Sequence, residues 1–402
     1  MSRVHAVQSG GSIALTPRAE RARMSRVSQG LLVAYLLLKP FYLWDSGLPQ
    51  VADAFMLCLI CLGLLESRGR HGGWPSDYPL SALAFVYWTV LVNVSAMLLV
   101  APETQFALAS VMNVYNVGAS FAVLLFARLD RLALFRSLFY GSVGTLAIQV
   151  LWLTLIESGW GSRATGSFNN PNQLAYFSLL CIILLILAHE VLQPRVSFTA
   201  LAILAGLFLI VMSMSRAAIV AAGVVLVGTL LWPPAEGAKR KRFPRAIILT
   251  AAVVAVLFLI RLQAFAESAL LQPIVERAHA ASGGNFESVR GYDRITEHPE
   301  YWFQGAGEGA YWRFDATNEL HSTLGNVQVS YGLIGTVLFG IMLYSVLRGA
   351  STKYAYVIAA VLAYGLAHNG LRNTVFWILL AVLASFGTDR AHADVRWRQV
   401  RN

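Results

Sequence analysis

The chain has 402 residues, of which 57% are hydrophobic and only 13% are charged, and its formal net charge is +10. A soluble globular domain carries about 25% charged residues, so this chain would lack the polar side chains needed to cover a surface in water. The composition excludes an ordinary soluble protein and indicates a chain embedded in a lipid bilayer. Because positive charge has a topological use in such proteins, we expect membrane lipids and no nucleic acid among the partners.

Residues 1–27 form a polar, Arg-rich segment that we interpret as a cytoplasmic tail and not as a cleaved signal peptide. A membrane-spanning helix needs about 20 mainly apolar residues, and the sequence predicts about twelve such helices. Nine lie within residues 28–265 and three within residues 321–388. Their predicted bounds are 28–45, 49–66, 79–100, 105–126, 133–156, 169–188, 197–214, 216–232, 246–265, 321–347, 354–371 and 373–388. The predicted fold is an all-α polytopic membrane protein.

Most of the 31 lysine and arginine residues fall on one side of this predicted topology. They occur in the tail at 1–27, in alternate loops such as 239–245, and in the tail at 389–402. Basic residues accumulate on the cytoplasmic side of membrane proteins, so both termini are predicted to be cytoplasmic.

The cysteines Cys58, Cys61 and Cys181 all lie in apolar runs. The C-x-x-C spacing of the first two is found in metal and redox sites, but no second pair of ligands lies nearby in the sequence. We interpret all three as small apolar packing residues, and we expect neither disulfides nor a metal.

Residues 266–320 form the longest predicted loop, on the side opposite the basic tails. Structureless loops of this length are uncommon and often carry function. The segment SVRGYDRITEHPEYW predicts a helix that ends at His298 and Pro299, and the Gly-rich run at 305–309 predicts a turn because no strand precedes it. We interpret the loop as a partly helical lid over the membrane-embedded helices.

Arginines at two sites on the predicted outer side of the membrane each have two interpretations. Arg216 separates two apolar runs, where it either reaches lipid headgroups or faces inward as an anion clamp among small neighbours. Arg290 and Arg294 are one helical turn apart, so their guanidinium groups can grip a phosphate pair from one helix face. Periodicity alone favours a solvated face paired with nearby acidic residues, which are Glu287, Asp293 and Glu297.

Polar residues also surround the predicted outer ends of the last three spans. His321 opens the tenth span beside Asn318, and a lone histidine there is most often an interfacial residue with satisfied hydrogen bonds. His368 and Arg372 form a second polar group, and Lys39 lies at the outer end of the first span. Gathered on one side of the membrane, these residues predict an outward-facing cavity.

Motifs for nucleotide-dependent and metal-dependent catalysis are absent from the sequence. There is no Walker A motif, no H-E-x-x-H pair, no D-x-D pair and no G-x-S-x-G elbow. We therefore expect no cofactor.

Four segments in a fixed order resemble the O-antigen ligase and polymerase superfamily. They are GSFNNPNQLAYF, SMSRAAIVA, an arginine followed by WFQGAGEG, and ELHSTLGNVQVSYGLIG, and they cover about residues 166–340. A weaker resemblance extends over KPFYLWDSGLPQVAD at 39–53. Each motif is short, but the four share their order and their predicted outer location.

This resemblance implies a GT-C-type glycosyltransferase of the bacterial inner membrane with a periplasmic active site. Members transfer a glycan from undecaprenyl diphosphate to an acceptor hydroxyl, without a metal or a nucleotide sugar. By position, Arg216 and Arg290 match the family's diphosphate-binding arginines, and His321 matches its proposed general base. Lys39, Arg294, Asn318, His368 and Arg372 are candidate supporting residues. Ser322 departs from the family pattern, in which many members carry Asn after the histidine.

Three functions remain in view at this point. An O-antigen ligase, which uses the lipid A–core as acceptor, is favoured by the moderate length and the single outer loop. A polymerase of the same superfamily would use a second lipid-linked glycan as acceptor. A transporter of lipid-linked glycans is less favoured, because the sequence shows no internal repeat and its charges gather at the predicted outer helix ends.

Overall fold

The computed structural model describes residues 23–44, 48–68, 76–157, 163–232, 290–316, 319–350 and 352–387. Within these ranges the chain is helical and contains no strand, as predicted. The α-helices are α1 (Arg26–Leu38), α2 (Val51–Glu66), α3 (Tyr78–Leu99), α4 (Thr104–Leu155), α5 (Pro171–Leu192), α6 (Val196–Met212), α7 (Arg216–Leu231), α8 (Asp293–Glu297), α9 (Thr323–Ala350), α10 (Ala355–Gly365) and α11 (Thr374–Ser385). Short 3₁₀ helices occupy Pro299–Tyr301, Tyr311–Phe314 and Thr352–Tyr354.

The helices are those of a membrane-embedded protein. Among the described residues, α3, α4, α5 and α9 are long and apolar enough to cross a bilayer, and α1, α6, α7 and α11 are shorter apolar helices. A helix coincides with every predicted span except 246–265. That span lies outside the described residues, as do the tails at 1–22 and 388–402 and the first part of the outer loop, 266–289.

Helix α4 contains 52 residues and is interrupted at one point. At about 1.5 Å per residue it would measure roughly 78 Å, more than twice the hydrocarbon thickness of about 30 Å. Asp130 has extended backbone angles, φ −153° and ψ 86°, and separates 104–129 from 131–155. Its carboxylate accepts a hydrogen bond from the Ala133 amide at 3.0 Å and so caps the second part. The predicted spans 105–126 and 133–156 correspond to these two parts.

Both ends of α4 lie at the same end of the molecule. Glu103, just before α4, accepts a hydrogen bond from the Ala310 amide of the outer segment at 2.9 Å. In the last turns of α4, Gln149 donates to the Ser167 hydroxyl, which in turn donates to the Pro40 carbonyl at the end of α1. The chain therefore reverses direction at Asp130, and the loops around Pro40 and Ala310 meet at one end.

Helices α5 and α11 form the centre of the bundle. Every residue of α11 is buried, and so is 89% of an apolar 18-residue stretch of α5. The indole of Trp377 is fully buried in α11 and donates a hydrogen bond to the Leu371 carbonyl at 2.7 Å. Small residues bring neighbouring helices close, since a Cβ at Gly141 of α4 would come within 2.6 Å of Leu36. These central helices hold the loops at their ends in fixed positions.

Helix α9 is broken at Gly332, whose φ of +66° is left-handed. The outer segment runs alongside this break: the Ala306 amide donates to the Val329 carbonyl at 2.9 Å, and the Leu333 amide donates to the Trp302 carbonyl at 2.7 Å. These bonds satisfy backbone groups that the broken helix leaves open. The Gly-rich run at 305–309 was predicted as a turn; Gly305 and Gly307 have left-handed φ angles of +88° and +78°, and residues 306–309 are buried.

The rest of the described outer segment, 290–316, is partly helical, as predicted. Helix α8 ends at Glu297 with His298 as its C-cap. It begins only at Asp293, and Gly291 before it has a φ of +78°. The prediction that Arg290 and Arg294 share one helix face is therefore wrong, because a left-handed residue separates them.

Two of the three cysteines are not packing residues. Cys58 and Cys61 are exposed on α2, while Cys181 is buried in α5. Helix α2 therefore turns these two thiols outward, and only Cys181 fits the packing interpretation.

Candidate active site

A cavity of about 520 Å³ lies at the end of the bundle where the outer segment meets the helices. Its described lining comes from the loop between α1 and α2, the start of α2, the first part of α4, the start of α5, the outer segment, the end of α10 and the turn between α10 and α11. Of the residues predicted for the site, Lys39, His321 and Arg372 line it. Arg216, Arg290, Arg294 and His368 are not among the lining residues, and Asn318 lies outside the described residues.

His321 is exposed at the cavity, two residues before α9 begins. Its amide donates a hydrogen bond to the Arg290 carbonyl at 3.2 Å. Partial burial lowers the pKa of the imidazole below its usual value of 6.5, and the positive charges of Arg290 and Arg294 lower that pKa further. The ring is therefore neutral near pH 7 and able to accept a proton.

Ser322 fixes the start of α9 next to His321. Its hydroxyl accepts from the Gly325 amide at 3.1 Å and donates to the Gly365 carbonyl at 3.0 Å. It also shares a hydrogen bond of 2.6 Å with the Tyr292 hydroxyl. Ser322 therefore ties the α9 N-terminus to α10 and to the outer segment.

Arg290 connects Arg216 with His321, because the charge of Arg216 acts on Arg290 and the Arg290 carbonyl accepts a hydrogen bond from the His321 amide. Arg216 is the first residue of α7 and is exposed, and Arg290 donates to the Ala367 carbonyl at 2.6 Å. Burial lowers the pKa of Arg290, and the charge of Arg216 is the next largest cause. Together with the backbone bond between Arg290 and His321, this places the three residues in one region, beside the cavity.

Arg163 adds a third arginine that the sequence interpretation did not select. Its Nε donates to the Ser213 carbonyl at 3.0 Å and its Nη2 donates to the Asn172 side chain at 2.8 Å. These contacts attach it to the loop before Arg216 and to the first turn of α5. Its place three residues before the GSFNNPN motif was the signal that pointed to it.

His368 belongs to the wall of the arginine region. Burial lowers its pKa to about 3, with further lowering by the charges of Arg290, His321 and Arg163. Its ring lies 5.0 Å from the ring of Tyr364. A histidine with so low a pKa stays neutral at pH 7 but is a weak proton acceptor, which leaves His321 as the better base.

Arg372 and Lys39 are cations whose charge is already matched by carboxylates. Arg372 contacts Glu308 at 2.9 Å and Glu319 at 2.8 Å, which hold the pKa of its guanidinium well above the usual value. Lys39 contacts Asp53 at 2.9 Å, and both side chains are 8% exposed. Neither cation is therefore the main source of positive potential for an anion.

Arg294 has its guanidinium 5.9 Å from the centre of the Phe314 ring. Burial lowers its pKa, and Asp293 opposes that effect. Its charge acts on His321, so it belongs to the electrostatic surroundings of the site.

Sequence interpretation missed the acidic side of the cavity. Glu308 is only 2% exposed and accepts hydrogen bonds from Arg372 and from the Asn326 amide group at 2.8 Å. Glu319 accepts from Arg372 and, at 3.4 Å, from Asn369. Acidic residues beside apolar spans were the available signal, but the partners are distant in sequence.

The chain matches none of the known protein-family models and none of the curated proteins with which it was compared. The geometry itself combines a group of arginines that suits an anion, a neutral imidazole and an adjoining polar cavity.

Proposed function

We propose that this chain is a metal-independent, inverting glycosyltransferase of the bacterial inner membrane. It transfers O-antigen polysaccharide from undecaprenyl diphosphate to a sugar hydroxyl of lipid A–core, in lipopolysaccharide biosynthesis. The proposal includes a GT-C-type fold with about twelve spans, cytoplasmic termini and a periplasmic active site. The observation that carries it is the position of His321. This residue lines the cavity, and its amide donates a hydrogen bond to the Arg290 carbonyl. Burial lowers the pKa of Arg290, and the charge of Arg216 in turn lowers it further.

The chemistry follows from these positions. The acceptor oxygen attacks the anomeric carbon of the lipid-linked sugar, and the bond from that carbon to the diphosphate oxygen breaks. The acceptor proton passes to the His321 imidazole and then to solvent. The departing undecaprenyl diphosphate gains negative charge in the transition state, and Arg216 and Arg290, with Arg163 nearby, stabilise that charge.

The test is a transfer assay with the purified full-length protein and an undecaprenyl-diphosphate-linked glycan. Lipid A–core and a second lipid-linked glycan are offered as acceptors in separate reactions. We expect transfer to lipid A–core, whereas extension of the second lipid-linked glycan would identify a polymerase. Absence of transfer to both acceptors would contradict the proposed function.

The variant that tests the base is His321→Ala. General base catalysis contributes about 10²–10⁴-fold, so we expect kcat/KM to fall by that factor. His298→Ala is the matched control, because His298 lies in the same outer segment, contacts Glu300 at 3.1 Å and is absent from the cavity lining. Full activity of the His321 variant would remove the base assignment.

A further inference from the structure

The cavity beside His321 differs in charge from the arginine region. Its described lining contains three carboxylates, listed here as Asp53, Glu308 and Glu319, and two cations, Lys39 and Arg372. The Lys39–Asp53 pair is self-compensating at 2.9 Å, and Arg372 alone faces both glutamates. With these groups ionised, carboxylates outnumber cations among the described lining residues. Such a cavity disfavours an anionic group.

Glu319 is the carboxylate best placed to contact a ligand there. It lies two residues before His321, lines the cavity and has a side chain that is 22% exposed, whereas that of Glu308 is 3% exposed. Its Oε2 is held by Arg372 and by Asn369. Its Oε1 accepts no hydrogen bond from the part of the chain that the structure describes. A carboxylate fixed on one side retains an acceptor for a ligand hydroxyl.

The remaining lining suits a polyhydroxyl ligand. The Oε1 atom of Gln173 is buried and has no hydrogen-bond partner within the described ranges. Tyr176 and Tyr364 stack with ring centres 4.2 Å apart, and Tyr311 lines the cavity next to Arg372. Amides and carboxylates bind hydroxyl groups. A volume of about 520 Å³ is within the range of small-molecule sites.

The two regions fit two different parts of the reaction. The diphosphate carries the negative charge and suits the arginines. Among the described lining residues of the cavity the only arginine is Arg372, whose charge is compensated by two glutamates. The base must contact the acceptor hydroxyl, and His321 lines the cavity. The group in the cavity is therefore the acceptor and not the leaving group.

We propose that the cavity holds the acceptor sugar, that this sugar is uncharged, and that Glu319 binds one of its hydroxyls beside His321. This inference rests on the proposed function and adds to it the class of acceptor and a residue that determines specificity. It adds a binding contact and no further chemical step.

The experiment uses the purified full-length protein, one lipid-linked donor and two synthetic acceptors. The acceptors differ only in their terminal residue, which is a neutral hexose in one and the corresponding uronic acid in the other. We expect the wild-type protein to favour the neutral acceptor at least tenfold in kcat/KM. Equal use of both acceptors by the wild-type protein would overturn the inference without any variant.

The variant is Glu319→Gln, which keeps the shape of the side chain and removes its charge. A hydrogen bond to a charged group contributes about 1.5–3 kcal/mol, so we expect the KM for the neutral acceptor to rise about tenfold or more. The KM for the donor should stay unchanged, and the preference against the uronic acid should shrink. Glu300→Gln is the matched control, because Glu300 is a 55% exposed glutamate of the same outer segment outside the cavity lining.

Failure of the inference and failure of the proposed function give different experimental results. If the wild-type protein transfers glycan and Glu319→Gln leaves both the acceptor KM and the preference unchanged, only the inference is overturned. If the wild-type protein transfers glycan to neither acceptor, the proposed function is overturned and the inference with it.

Discussion

At the scale of single residues, the surroundings decide which histidine can act as a base. His321 and His368 both lie near Arg290, but His368 is more buried and its pKa is lowered to about 3. His321 is exposed at the cavity and its pKa is lowered by partial burial and by Arg290 and Arg294. It is therefore mostly neutral at pH 7 and remains open to a substrate hydroxyl.

Replacement of Arg294 should move the pH profile of transfer. Its positive charge lowers the pKa of His321, so Arg294→Gln should raise that pKa. Protonation of His321 at low pH removes the base, and the acid limb of kcat/KM against pH should shift to higher pH. The measurement is kcat/KM against pH for Arg294→Gln and for the wild-type protein.

The control for this prediction is Arg348→Gln. Arg348 is 70% exposed and pairs with Asp77, which is also exposed, near the other end of α9. Its loss should leave the acid limb in place. If the acid limb of kcat/KM stays in place in Arg294→Gln, or shifts to lower pH, the electrostatic explanation of the His321 pKa is contradicted.

At the scale of elements, the break in α9 is the feature that places Glu308. An unbroken helix would have no open carbonyl at Val329 or Ser330, and these carbonyls accept from the Ala306 and Gly307 amides. The segment thus enters the bundle, and the Asn93 side chain of α3 accepts from the Glu308 amide at 2.8 Å. Backbone geometry and not side-chain chemistry brings this carboxylate to the cavity.

Gly332→Ala should destabilise the protein and reduce transfer. A Cβ at Gly332 would lie 2.3 Å from the Phe303 carbonyl oxygen, and its φ of +66° is unfavourable for alanine. We expect a loss of about 1–3 kcal/mol, the range for a residue held in a strained backbone region, visible as a lower Tm in detergent. The donor and acceptor assays should both show lower activity.

Gly340→Ala in the same helix is the matched control. Nothing lies within 4 Å of a Cβ at Gly340, and alanine is the better helix former by about 1 kcal/mol. This variant should keep or slightly raise the Tm. Equal stability of the two alanine variants would show that the break in α9 does not depend on Gly332.

At the scale of the whole molecule, the two ends of the bundle carry different charge arrangements. At the cavity end, the charge of Arg216 acts on Arg290, whose carbonyl accepts a hydrogen bond from the His321 amide. At the far end of α5, Lys353 and the Tyr354 hydroxyl both contact Glu190. From the predicted excess of basic residues on the cytoplasmic side, we propose that the far end faces the cytoplasm and that the cavity faces the periplasm.

Cysteine labelling in cells tests this orientation. In a background with Cys58, Cys61 and Cys181 replaced by alanine, single cysteines are introduced at Trp312 and at Arg195. Both positions are exposed, the first in the outer segment and the second between α5 and α6. We expect a membrane-impermeant maleimide to label Trp312→Cys in intact spheroplasts and Arg195→Cys only after lysis. The reverse pattern would contradict the proposed orientation.

The sequence alone was sufficient for the all-α fold and for the approximate positions of the long apolar helices that the structure describes. Hydropathy is a local property, since about 20 consecutive apolar residues make a span wherever they occur. The arginines and His321 were also found in this way, because ionisable residues beside apolar runs are conspicuous. Arg163 was overlooked although the same rule applied to it.

Only the tertiary structure decided what each of these groups contacts. Arg372 lies between Glu308 and Glu319, and the first of these is 64 positions away in the chain. Lys39 likewise has its charge matched by Asp53. Charge compensation depends on distances of about 3–4 Å between side chains that the fold brings together, and hydropathy carries no information about those distances. Single residues therefore indicated where charge is, and packing decided which charges remain to act on a ligand.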